Sequence, residues 1–399
     1  MAPEASHTIL PGTPPKRGAF AFAILFAVES FARAIVSATI SVQAYDLLHQ
    51  AQRVSVLFTS VSIVVLITSL CLPMAYRHLP RRWTYTMGAC LLIAGAIGFA
   101  AFTLPGQVAG MFFRNVGSAT MSITLSLYIM DHIRKADLVR SEPIRLSLST
   151  LSWTIGPFLG VWLYENIGQW APQVVCIIGS LVLILLFWRL RLSDHPVIRA
   201  TRSMPQSPVR NVGRFIAQPR LRLAWTIAFA RSCFWSSFFV YGPLMMIEGK
   251  LGKEAGGILV SIGNLVLCTA YLSGKLSERV GLRRVISGAL LVGAVASICA
   301  GLSGTSMPYV TAGLLLVGAT CASMLDGIAG IPFLRSVKSY ERTQMASVYR
   351  TFVDFSDLLP SLIFSFALLV LPLGAVFVIL GVWLAIVGVI AWAFLPRSM

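Results

Sequence analysis

Charge is what this 399-residue chain has least of: 12% of its residues are Asp, Glu, Lys or Arg. A soluble globular domain carries about 25%. So small a supply cannot cover a water-facing surface of this size, which excludes an ordinary soluble enzyme, a disordered chain and a DNA-binding domain. Acid is scarcest, with 15 Asp and Glu against 32 Lys and Arg and a net charge of +17. Cysteine is sparse and unpaired: residues 71, 90, 176, 233, 268, 299 and 321 all fall in apolar stretches. No two have C-x-x-C spacing, so neither a disulfide framework nor a zinc site is indicated. The five His (7, 49, 78, 132 and 195) fall in tails or predicted loops. That excludes a metal cluster and a buried imidazole relay, and no cofactor is expected. A P-loop is missing too, because neither Gly249-Lys250 nor Gly274-Lys275 has the preceding glycine and following Ser or Thr that the motif requires. ATP-driven transport by this chain is therefore not expected. The Pro-rich start, MAPEASHTILPGTPPKRG, is not followed by a short apolar core with a small-residue cleavage site, so it reads as a cytoplasmic tail.

What the chain has is apolar length. Hydrophobic residues make up 56% of it and the mean hydropathy is +0.79. A membrane-crossing helix needs about 20 mostly apolar residues. Apolar runs between charged or Pro/Gly breaks predict twelve spans, at about 18–45, 54–76, 84–102, 107–130, 143–165, 172–188, 223–247, 255–276, 285–302, 309–335, 343–371 and 374–395. Helices are required, since lipid offers the backbone no hydrogen-bond partner. With the N-terminus inside, 25 of the 32 basic residues fall in cytoplasmic segments, and three (Arg53, Lys250 and Lys253) fall outside. Cytoplasmic loops collect Lys and Arg, so both termini are expected in the cytoplasm of a multi-pass inner-membrane protein. The +17 then needs no nucleic acid. The expected fold is an all-α membrane protein of two six-helix bundles: tail 1–17, bundle 18–188, basic linker 189–222, bundle 223–395 and tail 396–399.

The halves echo each other. Phe31-Ala32-Arg33 in span one recurs as Phe229-Ala230-Arg231 in span seven, an offset of 198. Arg77, Arg81 and Arg82 after span two match Arg279, Arg283 and Arg284 after span eight, an offset of 202. Parallel repeats of this kind put a substrate path between the halves, near the membrane midplane.

Eight ionisable residues lie inside the predicted spans: Arg33, Arg114, Arg231, Arg350, Glu29, Asp326, Asp354 and Asp357. Each costs ~2.5–3.5 kcal/mol at the centre of a lipid-facing helix, and such residues mark substrate or ion paths. They are expected to face a polar cavity or one another. Glu29 and Arg33 are i, i+4 on one helix face; Arg350, Asp354 and Asp357 are i, i+4, i+7 on another. Four acids balance four Arg, which argues against a dedicated phosphate site and for a neutral or zwitterionic solute, or an anion that displaces a carboxylate. Arg keeps its proton, so a coupling proton must sit on an acid. Asp357 has no intramembrane Arg at i±4 and Asp326 has none on its own helix, so these two are the expected carriers, while Glu29 and Asp354 are expected salt-bridge partners. Trp153, Trp235 and Tyr349 stand in the aromatic-rich spans five, seven and eleven and could stack a ring-bearing substrate.

One loop resembles a known family. Gly274-Lys275-Leu276-Ser277-Glu278-Arg279-Val280-Gly281-Leu282-Arg283-Arg284 is similar to the cytoplasmic signature of the major facilitator superfamily, G-x-L-x-[D/E]-R-x-G-x-[R/K]-[R/K]. The first-half copy keeps Arg77, Arg81 and Arg82 but has Leu72, Tyr76 and Leu79 where the pattern has glycine, acid and glycine. Arg114-Asn115-Val116-Gly117 resembles the R-x-x-x-G helix of span four, one residue short, whose Arg is linked to proton transfer in proton-coupled members. Gly156-Pro157-Phe158-Leu159-Gly160 resembles the G-P-x-x-G core of antiporters; such spacing also serves helix packing generally. The wording of span one is similar to the proteobacterial riboflavin-transporter-like group. The resemblance implies a monomeric secondary transporter working by alternating access, with a small organic solute and a proton as partners. It leaves open uptake of a vitamin-like aromatic nutrient, drug or metabolite efflux, and organic anion or phosphate exchange. From other classes, an intramembrane enzyme and a passive channel stand beside it.

Overall fold

The computed structural model describes residues 15–75, 80–132, 135–189, 208–337 and 342–396. The tail calls at 1–14 and 397–399, Arg77 and linker residues 190–207 lie outside the described residues. The fold is nearly all helical. In order the helices are α1 (Pro15–Ala34), α2 (Ser37–Leu48), α3 (Ala51–Ala75), α4 (Arg81–Ala100), α5 (Leu104–His132), α6 (Lys135–Asn166), α7 (Ala171–Arg189) and α8 (Pro208–Ile216). There follow α9 (Pro219–Glu248), α10 (Lys253–Leu265), a 3-10 turn Val266–Thr269, α11 (Ala270–Val280), α12 (Leu282–Ser303), α13 (Pro308–Ile328), α14 (Ile331–Ser336), α15 (Arg342–Ala367) and α16 (Ala375–Phe394). Among the described residues, eight helices are long and apolar enough to cross a membrane, or nine if the bent pair α10–α11 is one span.

The twelve predicted segments fall on these helices, with four differences. Segment 18–45 is broken at Ile35–Val36 into α1 and α2, segment 255–276 bends through the 3-10 turn, and segment 309–335 stops at Ile328 before the short α14. The fourth lies in the linker, which carries the amphipathic α8, whose Phe215 is buried with Leu221, Phe333 and Met345.

Small residues set the helix spacing. A Cβ at Gly98 would lie 2.9 Å from the Gly106 carbonyl, and one at Gly117 2.8 Å from the Gly88 carbonyl, so α4 and α5 run almost backbone to backbone. The break between α1 and α2 has a similar cause. A Cβ at Gly156 would lie 2.6 Å from the Ala34 Cβ there, and one at Gly160 would overlap the Ile35 carbonyl oxygen. The G-P-x-x-G element therefore seats α6 in the break, while a Cβ at Gly257 of α10 would lie 3.3 Å from the Pro157 carbonyl oxygen. This gives the element a packing job. Gly160→Ala should lower the melting temperature of the purified protein by an amount equivalent to about 1–3 kcal/mol, the cost of overpacking a filled interior. An unchanged melting curve would mean that α6 does not approach the break this closely.

Most helix contacts join elements within 15–189 or within 219–394. The two sets meet where α3 packs on α15, α6 on α10, and α2 on α9 and, more lightly, on α10.

Candidate functional site

The charged residues gather in two clusters, one in each helix set. On α1, the buried Glu29 accepts from Arg33 Nη1 at 3.3 Å and from the Tyr85 hydroxyl of α4 at 3.2 Å. Arg33 also reaches Ser122 Oγ of α5 at 3.5 Å, and 23% of its side chain stays exposed. Arg114 of α5 donates from Nη2 to the Arg33 carbonyl at 3.1 Å. That carbonyl lies in the last turn of α1, where the helix dipole is negative, so the helix end stands in for the carboxylate that Arg114 lacks among the described residues. Arg33, Val36, Phe99, Arg114 and Cys176 enclose a void too tight to admit a water.

The second cluster is built on α9, α13 and α15. Arg231 pairs with Asp326 and donates to Ser232 Oγ at 3.0 Å. Trp235 Nε1 donates to the other oxygen of Asp326 at 2.9 Å. The Arg231 guanidinium lies 5.4 Å over the Phe352 ring, and Tyr349 meets Phe352 edge-on at 5.2 Å while stacking on Phe333 at 4.2 Å. Trp235 stacks on Phe239 at 5.5 Å.

Several expectations change here. Asp326, expected as a proton carrier, is held by Arg231 and Trp235: α13 brings it to α9, a tertiary pairing that spacing along one helix cannot reveal. Asp354, expected as a salt-bridge partner, makes no ion pair among the described residues, and Arg350 of the same face is exposed and unpaired there. Arg33 and Arg231 each sit in their own cluster with their own acid. Asp357 is exposed, makes no ion pair among the described residues, faces Ser236 of α9, and lies within the electrostatic reach of Arg114 and Asp354. Trp153 is half-buried on α6 and makes no hydrogen bond or ring contact among the described residues.

At one end of the bundle the two helix sets are tied together. Lys253 Nζ of α10 binds Asp46 of α2 at 2.7 Å and Glu165 of α6 at 3.0 Å. Tyr164 donates to the same Asp46 oxygen at 2.8 Å, and its ring lies 5.3 Å from the ammonium. Asn166 donates to Glu254 at 2.9 Å and Tyr45 to Glu248 at 3.3 Å. Toward the middle follow Ser55 with the Tyr241 hydroxyl at 2.7 Å, Ser261 accepting from the Phe158 amide at 2.9 Å, and Ser41 donating to the Phe239 carbonyl at 3.4 Å. The deepest tie is Ser62 to the Asp357 carbonyl at 3.5 Å.

Residues 22–359 match the model of the Major Facilitator Superfamily. The chain belongs to that superfamily. It is accordingly a multi-pass membrane protein of a transport family. No curated relative matches at a significant level. Among solved structures, a D-xylose-proton symporter is similar with a TM-score of 0.74 at 11% identity, over 95% of this chain and 98% of that one. A POT family transporter in complex with a thioalcohol-conjugated peptide gives 0.73 at 16% identity, over 95% and 96%. The nucleoside transporter NupG gives 0.71 at 13% identity, over 94% and 98%. These likenesses concern the fold.

The superfamily signature loop spans the end of α11 and the start of α12. Gly281 has φ +97°, which only glycine adopts without strain. Arg283 stacks 4.9 Å over the Trp392 ring of α16. Glu278, Arg279 and Arg284 are exposed, and a Cβ at Gly274 would meet nothing within 4 Å, so the close helix approach expected there is not made in this state. Of the first-half copy, the pattern-breaking Tyr76 and Leu79 lie outside the described residues.

Sequence reasoning missed Tyr85, Ser122 and Ser236, which are uncharged and carry no spacing signal. It also missed the tie of Lys253 with Asp46 and Glu165 and the neighbouring bonds of Tyr45 to Glu248 and Asn166 to Glu254. A signal for that tie existed: four acids and one of the few outside Lys cluster at the helix ends that lack basic residues. One consequence tests the first cluster. Glu29→Gln leaves the Arg33 guanidinium without a carboxylate in a largely desolvated place, at a cost of about 3 kcal/mol. Both initial uptake and the melting temperature should fall. If Glu29→Gln is silent, the pair is not there.

Proposed function

We propose that this chain is a proton-coupled secondary active transporter that moves a small organic solute across the cell inner membrane by alternating access. In this reading its helical segments make twelve spans in two six-helix bundles, 18–188 and 223–395, joined by the basic linker, with both termini in the cytoplasm and a monomer as the working unit. One observation carries it. Beside two clusters, in which Arg33 is paired with Glu29 and Arg231 with Asp326, stands Asp357, an exposed carboxylate with no ion pair among the described residues, on a helix that lies in a seam between the two helix sets. A group so placed can take up and release a proton while the halves rock. The ties at one end, running from Lys253–Asp46 down to Ser62, support a state sealed at that end. Aromatic rings at Trp235, Phe239, Tyr349 and Phe352 favour a ring-bearing nutrient, with riboflavin as the named candidate.

Proteoliposome uptake decides the matter. With an acid-outside gradient, the purified protein should concentrate one member of a panel of vitamins, nucleosides, amino acids, sugar phosphates and drugs, and a protonophore should collapse the gradient of that solute. Uptake that only equilibrates would make the protein a passive path. Accumulation indifferent to the protonophore would remove the proton.

A further inference from the structure

The two charged clusters carry opposite sign and come within electrostatic reach of each other through Arg114 and Asp357, and this bears on the class of substrate if each forms one wall of a common site. On the α1–α5 wall, two guanidiniums, Arg33 and Arg114, stand against one carboxylate, Glu29. Glu29 is buried and already accepts from Tyr85. A guanidinium offers five N–H donors. Among the described residues Arg33 places two of them, at 3.3 and 3.5 Å, Arg114 places one, and Nε of both has no partner. This wall is under-supplied with acceptors. On the α9–α13–α15 wall, Asp326 is spent on Arg231, while Asp354 and Asp357 stand three residues apart on one face of α15 with no ion pair among the described residues. Even with Arg350 counted, this wall holds three acids against two Arg. Trp235 and Phe352 supply apolar rings on the same wall.

We propose that the substrate is a zwitterion. Its anionic group is received by the free donors of Arg33, with Arg114 adding to the field. Its ammonium is received by Asp354, beside Asp357, and its body lies along the Trp235 and Phe352 rings. A solute of one sign satisfies one wall and is repelled by the other; a zwitterion neutralises both and bridges the two helix sets. The acid pair has room for two partners: one proton relieves the repulsion between the carboxylates, and the ammonium takes the charge that remains. The inference rests on the transporter reading and sets a zwitterion in place of neutral riboflavin as its substrate.

The test is binding to the detergent-purified full chain by thermal shift and calorimetry. The probes are matched triples: L-tryptophan, indole-3-propionate and tryptamine; L-leucine, isocaproate and isoamylamine. The remaining amino acids, simple dipeptides, glycine betaine and riboflavin complete the panel. The expected result is a zwitterion that binds about tenfold or more tightly than both its singly charged analogues, since each analogue leaves one charged wall unmet. Arg33→Gln should erase the preference over the amine, and Asp354→Asn the preference over the acid. A singly charged analogue or riboflavin binding as tightly as the best zwitterion overturns the proposal, and so does a panel with no zwitterionic binder. Failure here is separable from failure of the transporter reading. Proton-driven uptake of a neutral or singly charged solute keeps the transporter and removes the zwitterion. Zwitterion binding without proton-driven uptake does the reverse.

Discussion

Asn in place of Asp357 should leave a protein that exchanges solute across the membrane but no longer concentrates it. A proton gradient does work only if some group is charged in one orientation of the carrier and neutral in the other. Arg does not release its proton in a protein, so Arg33, Arg114, Arg231 and Arg350 are excluded. Glu29 is tied to Arg33 and Tyr85, and Asp326 to Arg231 and Trp235; each would have to abandon two partners to take a proton. Asp357 makes no ion pair among the described residues and has the Ser236 hydroxyl as a hydrogen-bond partner. Desolvation favours a neutral acid and a nearby cation favours the carboxylate, so motion of one helix set against the other can move Asp357 between the two conditions. Asn fixes the neutral condition and keeps the shape. In proteoliposomes the accumulation ratio under a pH gradient should fall to one, while counterflow stays within about threefold of the parent, because Asp354 remains to hold the solute. Equal loss of both activities would assign Asp357 to binding and take the proton elsewhere.

How much of this was legible in the sequence follows from the range of each interaction. Apolar length predicted the helical segments and their order, because it is a local property of the chain. The i, i+4 spacing of Glu29 and Arg33 gave a pair the structure contains, because one helix face is also local. The repeat of Phe-Ala-Arg put Arg231 where Arg33 has its counterpart, but nothing along the chain revealed that Arg231 would be met by Asp326, 95 residues away on another helix. The break at Ile35–Val36 was hidden for the same reason. Its own residues are ordinary helix residues, and its cause is Gly160 on α6 arriving against the Ile35 carbonyl. Arg350, Asp354 and Asp357 share spacing but not fate: the first is exposed, the second half-buried and the third faces the seam. Spacing tells which side chains can meet, while the packing of α15 on α3 and α9 decides which do.

Replacing Lys253 with Gln should unseat the tied end of the bundle. The ammonium is a hub: it joins α10 to α2 through Asp46 and to α6 through Glu165, and it lies over the Tyr164 ring. Without it, Asp46 and Glu165 face each other as like charges, held only by the Tyr164 hydroxyl. Exposed ion pairs contribute ~0.2–1 kcal/mol, and stripping one partner from a buried pair costs ~3–5 kcal/mol. Here 25% of the Lys side chain and 19–35% of the two acids are exposed, so a value of about 2 kcal/mol lies between those limits. That is close to a 30-fold shift in a two-state population, directed to the conformation open at this end. Spin labels at Gln50 and Lys250, exposed positions on α3's approach and α9's exit, would read it in a cysteine-free background as growth of a longer-distance population. Lys253→Arg should restore the short distance, since a guanidinium can still bridge two carboxylates. The same variant separates lock from scaffold. Lost melting stability with an unchanged distance distribution would make the triad a structural clamp, whereas a shifted distribution with stability retained makes it the element that each transport cycle must open.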